Sequence, residues 1–390
     1  MPGTCTSSLQ VPFLDLGLQN RRIWSELQEA IETVAARSQF ILGPAVERFE
    51  TAFAPYVGRR FCVGVNSGTS ALHMTLAACD IGPGDDVITT PHTWISTSWA
   101  ISYVGARPVF VDIDPVTYNI DPQKVRRAIT PRTKAILPVH LYGQACEMDA
   151  LCRIAREHDL LLIEDAAQAH GAVYDGQRIG SFGKAACYSF YPGKNLGALG
   201  EGGAVVTDDE ELAERIRRLR DHAQDGRHHH VELGFNTRME GIQAAVLDVK
   251  LRYLDGWNAA RARHARQYCG ALADVPGVRL PTAVQPNAHV WHLFVILVSG
   301  MDRDELQKEL AERGVACGVH YPTPVPFQPV YAHLGYRRGD FPVAEDVMRR
   351  CLSLPMFPEL EDRQIEHVAE VLRSVLQMTP LSRFRERGRG

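Results

Sequence analysis

Three segments carry residue types that could do chemistry together. Residues 188–203 (YSFYPGKNLGALGEGG) set Lys194 after an aromatic run and before four glycines, with Ser189 five residues earlier. A lysine drawn out of water has a lowered pKa and becomes a nucleophile toward carbonyls. Most loop lysines are simply solvated, so the segment alone leaves both readings open. Residues 160–168 (LLLIEDAAQ) end an apolar run in two acids, Glu164 and Asp165. Ligands of open α/β sheets gather at the carboxyl ends of strands, where a carboxylate could pair with a cation or a ring nitrogen. A solvated strand end or a helix cap would look the same. Residues 63–74 (VGVNSGTSALHM) place Ser67, Gly68 and Thr69 between an apolar strand and a helix. A helix N-terminus offers unpaired N–H groups and a positive dipole end, which suit a phosphate. The segment is neither a Walker A loop nor GxGxxG, and an ordinary turn capped by Ser and Thr is the plain alternative.

Together the segments supply a phosphate cradle, a carboxylate and an amine. Those are the attachments that pyridoxal 5'-phosphate requires.

The elements that must position these residues alternate in type. Residues 61–65, 86–90, 108–113, 134–141 and 160–164 read as strands, and 69–79, 93–104, 122–129 and 149–158 as helices, the last capped by Asp149. Runs such as VFV, AIL and LLLI lack polar alternation, as expected when helices cover both faces of a sheet. The rhythm predicts an α/β fold with a large, mainly parallel sheet. After Thr207 the pattern changes to a charged helix (208–222), a polar loop (223–232) and a long helical stretch (240–272) with Gly256 as its break. A strand at 292–298 and helices at 302–313 and 361–376 then suggest a smaller C-terminal α+β domain. The expected division is a large domain over 1–250, a small one over 251–380, and a frayed tail over 381–390.

Composition narrows the partners. The 390 residues carry 42 Lys and Arg against 46 Asp and Glu, a net charge of −4, which leaves no footprint for nucleic acid or anionic membrane. No apolar stretch approaches the roughly 20 residues that span a bilayer, and residues 1–10 lack a signal-peptide pattern. Nine scattered cysteines without a CxxC pair read as reduced thiols of a cytoplasmic protein, Cys187 among them as a small buried thiol. His228, His229 and His230 have no carboxylate or cysteine at ligand spacing, so a mobile loop is expected and no metal. His140 and His170 read equally as core histidines or substrate contacts, and Trp99 as helix packing.

An ordered series of motifs then fits one family. It runs through FLDL at Phe13, QFILGP at Gln39, NSGTSAL at Asn66, GARPVFVDID at Gly105, TKAILPVHLYGQ at Thr133 and IEDAAQAHGA at Ile163. It continues through SFYPGKNLGALGEGG at Ser189, GFNTRMEGIQAAVL at Gly234, HYPTP at His320 and SLPMFPEL at Ser353. In order and spacing the chain resembles the DegT/StrS-type nucleotide-sugar aminotransferases, pyridoxal-phosphate enzymes of fold type I with an aspartate-aminotransferase-like fold. By that resemblance Lys194 holds the cofactor covalently and shuttles the proton. Asp165 keeps the pyridine nitrogen protonated, Gln168 packs beside the ring, and Trp94 stacks on its face where Phe or Tyr is commoner. Ser67, Gly68, Thr69 and Ser189 anchor the phosphate. Asn236 reaches the phosphate of the neighbouring subunit, which implies a homodimer with shared sites. His320 and Tyr321 approach the substrate.

The resemblance implies glutamate as amino donor and a nucleotide-linked keto-sugar as acceptor. Stretches such as QFILGP and VHLYGQACEMD look closest to members that aminate C3, which points to a dTDP-3-keto-6-deoxyhexose. A 4-keto sugar nucleotide and the cyclitol ketone inosose stay open, as does a pyridoxal-phosphate-binding regulator without turnover. A dehydratase branch carries histidine at the lysine position, and Lys194 argues against it. An NAD-dependent oxidoreductase is disfavoured by the missing GxGxxG.

Overall fold

The computed structural model describes residues 9–284 and 287–378; the expected tail at 381–390 lies outside them. Seven strands form the central sheet: β1 (Phe61–Val65), β2 (Asp86–Thr89), β3 (Arg107–Phe110), β4 (Thr133–Ile136), β5 (Leu161–Asp165), β6 (Ala185–Ser189) and β7 (Gly203–Thr207). Their spatial order is β1-β7-β6-β5-β4-β2-β3. Only β7 runs against the rest, pairing antiparallel with both β1 and β6. The carboxyl ends of β1, β5 and β6 therefore meet at one edge of the sheet, and β7 begins there.

Both faces of the sheet are covered, as the apolar runs require. In β1, Val63 and Val65 pack on one face with Val205, while Cys62 packs on the other with Ala204 and Val206. A three-stranded antiparallel sheet, β8 (Val278–Arg279), β9 (Phe294–Val298) and β10 (Cys351–Leu354), supports a second core. Helices Arg303–Glu312 and Asp362–Met378 pack against it, and Val11 joins it through a bridge to Val315. Helix Leu254–Leu272 spans both cores, with Leu254 in the large one and Tyr268 and Leu272 in the small one.

Some local expectations change. The helix expected to be capped by Asp149 is Met148–Glu157, preceded by Glu147 with no side-chain cap. Asp149 sits in its first turn, where a negative charge faces the helix dipole favourably. The long stretch at 240–272 breaks at Arg252 and Tyr253, not at Gly256. There the backbone N–H groups turn to carbonyls three residues back, Arg252 to Val249 and Tyr253 to Lys250. Gly256 stays helical, since one glycine costs only about 1 kcal/mol against alanine and does not by itself end a helix. The helix expected from residue 93 begins at Ser96. Strands β6 and β7, and helices Trp24–Arg37 and Pro44–Val57, had no counterpart in the sequence reading.

Candidate active site

The turn after β1 leads into helix Gly68–Ala78, capped by Ser67, whose Oγ accepts from the Ser70 N–H at 3.1 Å. Ser70 Oγ in turn donates to Asn66 Oδ1 at 2.6 Å, and Thr69 Oγ1 donates to Ser96 Oγ at 2.9 Å. The Gly68 and Thr69 N–H groups lie in the first turn, where no intrahelical carbonyl can reach them. Gly68 has no room for a side chain: a Cβ there would stand 2.5 Å from Ser189 Cβ. Gly203 is equally constrained, with its Cβ position 2.3 Å from the Ser67 carbonyl oxygen. These two glycines let the ends of β6 and β7 press against the helix start and bring Ser189 beside it.

Asp165 ends β5 and is buried. Its Oδ2 accepts from Thr97 Oγ1 at 2.8 Å and its Oδ1 from the Ala167 N–H at 3.2 Å. Burial pushes its pKa up, while these donors and the Lys194 charge pull the other way. Lys194 keeps part of its surface open to the cavity, yet enough protein surrounds its ammonium to lower the pKa to about 8. Asp165 works against that lowering.

Glu164 is the neighbouring acid, and strand alternation turns it away. Its oxygens accept from His140 Nε2 at 3.1 Å and from the N–H groups of Gly180, Phe182 and Gly183. Burial works to raise its pKa, but those donors together hold it below the ordinary value. His140 is thereby a core histidine. His170 is one as well, buried, with Nε2 donating to the Ser189 carbonyl at 2.9 Å.

Gln168 bridges two elements: Oε1 accepts from the Tyr142 N–H at 2.7 Å, and Nε2 donates to the Tyr321 hydroxyl at 3.1 Å. Trp94 is 57 % exposed, its ring 5.8 Å from that of Tyr321. His320 stacks on Phe13 at 5.7 Å and is fixed by Ser353 Oγ at 2.8 Å. Phe13, Trp94, Gln168, His320 and Tyr321, with Ser67, Gly68, Thr69, Asp165, Ser189 and Lys194, line one cavity of about 630 Å³.

Asn236 is the exception among the residues singled out in the sequence. It does not line this cavity, and lies exposed in a bridge with Asp221, its Oδ1 accepting from Arg238 Nε at 3.2 Å. His228, His229 and His230 are exposed, and no metal-ligand cluster occurs among the described residues. Cys187 is buried 3.3 Å from Thr75 Oγ1, and burial pushes its thiol pKa up, so it is inert at neutral pH. Trp99 packs against Tyr103. Phe13, which heads the FLDL motif, lines the cavity too, and so do Thr97 and His292, which were not singled out. The neighbours of Thr97 and His292 in the chain carry no spacing signal that would have marked them.

The donor set fits pyridoxal phosphate: a glycine-tightened helix start for the phosphate, a buried carboxylate for a ring cation and a poised amine for an aldehyde. The model of the DegT/DnrJ/EryC1/StrS aminotransferase family matches residues 21–373. The chain belongs to this family. Like other aminotransferases of the DegT family, the enzyme depends on pyridoxal phosphate.

Among similar proteins, the erythromycin biosynthesis sensory transduction protein EryC1 of Saccharopolyspora erythraea is 48% identical over 94% of this chain and 100% of its own. The dTDP-3-amino-3,4,6-trideoxy-alpha-D-glucose transaminase of Streptomyces venezuelae is 46% identical, over 93% of this chain and 96% of its own. The crystal structure of S. venezuelae DesV in complex with a ketimine intermediate superposes with a TM-score of 0.92 at 46% identity, covering 94% of this chain and 99% of that one. Among the described residues no helix is long and apolar enough to cross a membrane.

Proposed function

We propose that this aminotransferase carries an amino group from glutamate to a nucleotide-linked keto-sugar, a dTDP-3-keto-6-deoxyhexose. The observation that carries the chemistry is the pairing, across one cavity, of a lysine amine lowered to about 8 with the buried Asp165 carboxylate. Pyridoxal phosphate, when bound, supplies an electron sink for the substrate carbon. Asp165 holds the ring cation, and Thr97 and the Ala167 N–H hold Asp165. Lys194 anchors the cofactor and, when free, moves the proton at the reacting carbon; an amine with a pKa near neutral can both take and return it. Ser67, Gly68, Thr69 and Ser189 bind the phosphate. Trp94 offers aromatic surface to the ring, and Gln168 lies beside it, fixed by Tyr142 and Tyr321. His320 and Tyr321 contact the substrate.

The substrate class is supported by the dTDP-sugar transaminase activity of the S. venezuelae relative and by a cavity of about 630 Å³, ample for a small amino acid and the sugar end of a nucleotide sugar in turn. A homodimer is supported by Asn236, which by the family resemblance serves the neighbouring subunit and which lies outside its own chain's cavity, five and three residues after the exposed Val231 and Leu233 in the chain. In the dimer it completes the phosphate site of the partner. The free cysteines among the described residues support a cytoplasmic setting.

EryC1 carries a sensory name, which raises a regulator without turnover as a second reading. Retention of both Lys194 and Asp165 in working surroundings favours turnover. The test is incubation with pyridoxal phosphate, glutamate and matched 3-keto and 4-keto dTDP-hexoses or inosose, read by mass. Amination of the 3-keto sugar is expected. Amination of the 4-keto sugar alone refutes the regiochemistry, of inosose alone the substrate class, and of none the enzyme reading.

A further inference from the structure

Asn195 follows the cofactor lysine and is buried, 3% exposed. Its Nδ2 donates to Val290 O at 2.9 Å and to Asn258 Oδ1 at 2.8 Å. A carbonyl can only accept, so this contact fixes which end of the amide is which. Asn195 Oδ1 is then an acceptor, and the His292 ring nitrogen 3.2 Å away, Nδ1, carries the proton. Asn258 passes the pattern on: its Nδ2 donates to His170 O at 2.8 Å, and His170 Nε2 donates to Ser189 O at 2.9 Å. A directed chain thus runs from His292, which lines the cavity, through Asn195 and Asn258 to His170 and Ser189 on the phosphate side. Two residues beyond Asn195, Gly197 O accepts from the buried Lys250 Nζ at 3.0 Å, a second pin on the same loop.

We propose that Asn195 is a positioning residue, fixing through this buried chain the backbone that carries Lys194 and keeping water from its amine. The inference rests on Lys194 being the reactive amine and is independent of the sugar. A lysine side chain is long and flexible, with many rotamers open to it. A reactive group must nonetheless be held to within roughly 0.5 Å, so its backbone cannot also be loose. Neutral partners suit the task. Charged groups in a low dielectric act strongly on a nearby ammonium, whereas an amide relay holds the loop without raising its pKa. Four titratable groups act on Lys194 or feel its charge: Asp165 at the end of β5, His170 after it, His292 before β9, and His320. Burial lowers all three histidines, His170 to about 3, His320 to about 4 and His292 well below the ordinary value. They are neutral at pH 7, and Asp165, whose own pKa burial raises, is the group that opposes the lowering of Lys194.

The probe is trace acetylation of the full-length chain, freed of cofactor, with acetic anhydride across a pH series, read by mass on the Lys194 peptide. The wild-type amine should become reactive with a midpoint near 8. In Asn195→Ala the loosened loop admits water, and the midpoint should rise by about one unit or more toward the ordinary 10.5. Asn258→Ala and His292→Phe, which leave Asn195 in place and remove one of its bonds each, should shift it in the same direction by less. They carry the test if Asn195→Ala does not fold. Folded variants that keep the wild-type midpoint overturn the proposal. A wild-type midpoint already at 10.5 would instead overturn the reading of Lys194 as the poised amine.

Discussion

Thr97 donates its hydroxyl to Oδ2 of Asp165 at 2.8 Å, with both side chains buried. The bond stabilises the charged carboxylate, which burial alone would tend to neutralise. Hydrogen bonds to charged groups are worth about 1.5–3 kcal/mol. Thr97→Val keeps the shape and removes the donor, so the Asp165 pKa rises further. Turnover should fall about tenfold or more, and the acid limb of the kcat/KM profile should move to higher pH. A pH–rate profile that matches the wild type would mean that Thr97 does not sustain the Asp165 charge.

Gly68 and Ser189 are packed so closely that an added methyl cannot fit without moving backbone, because the Ser189 Cα lies 3.0 Å from the Cβ position. Gly68→Ala should therefore spoil the phosphate cradle and weaken pyridoxal-phosphate binding by about tenfold or more, with the fold retained. Equilibrium dialysis measures it. Unchanged affinity would place the phosphate elsewhere.

Glu164 is expected to matter for folding, not chemistry. It accepts from four donors inside the protein, and Glu164→Gln turns an N–H₂ toward some of them. The cost should be about 2–4 kcal/mol, read by urea unfolding at neutral pH. Its folded pKa lies below the ordinary 4.5. The charge therefore stabilises the fold above pH 4.5, and that contribution is lost as pH falls through the lowered folded value. The stability gap between variant and wild type should narrow in that acid range. A constant gap across it would mean that the carboxylate's charge is not what the site uses.

The chemistry was more legible than the scaffold around it. Lys194, Asp165 and the Ser67–Thr69 turn stood out because a lysine among glycines, acids at a strand end and hydroxyls at a helix start are each unusual locally. The choice between Glu164 and Asp165 was carried by resemblance; geometry supplies the reason, since adjacent strand residues point to opposite faces. Strands β6 and β7 escaped because AACYS and GAVVT lie on either side of the glycine-rich loop, and short apolar runs carry no period that tells strand from helix. Thr97, Asn195 and His292 escaped for a different reason. Their importance comes from partners between 63 and 97 residues away in the chain, and no local pattern records such a pairing.

Asn236 lies outside the cavity of its own chain. If it serves the partner's phosphate site, Lys194→Ala and Asn236→Ala should each be inactive or nearly so. Mixed and allowed to exchange subunits, they should recover activity. In the mixed dimer one site carries both lesions and the other none, so about a quarter of wild-type activity is expected at random exchange, where half the dimers are mixed and each has one intact site of two. Absence of recovery despite proven exchange would place Asn236 outside the site, and an active monomer would refute the dimer.

The chemistry of the site turns on Lys194, the amine lowered to about 8 with Asp165 as the charge opposing that lowering. Borohydride reduction of the pyridoxal-phosphate-loaded enzyme, followed by proteolysis and peptide mass mapping, fixes the cofactor to whichever lysine holds it. The pyridoxyl group should appear on the peptide containing Lys194 and be missing in Lys194→Ala. An adduct on Lys250, the other lysine that burial lowers to about 8, or on any other lysine in its place, would contradict the assignment and with it the mechanism.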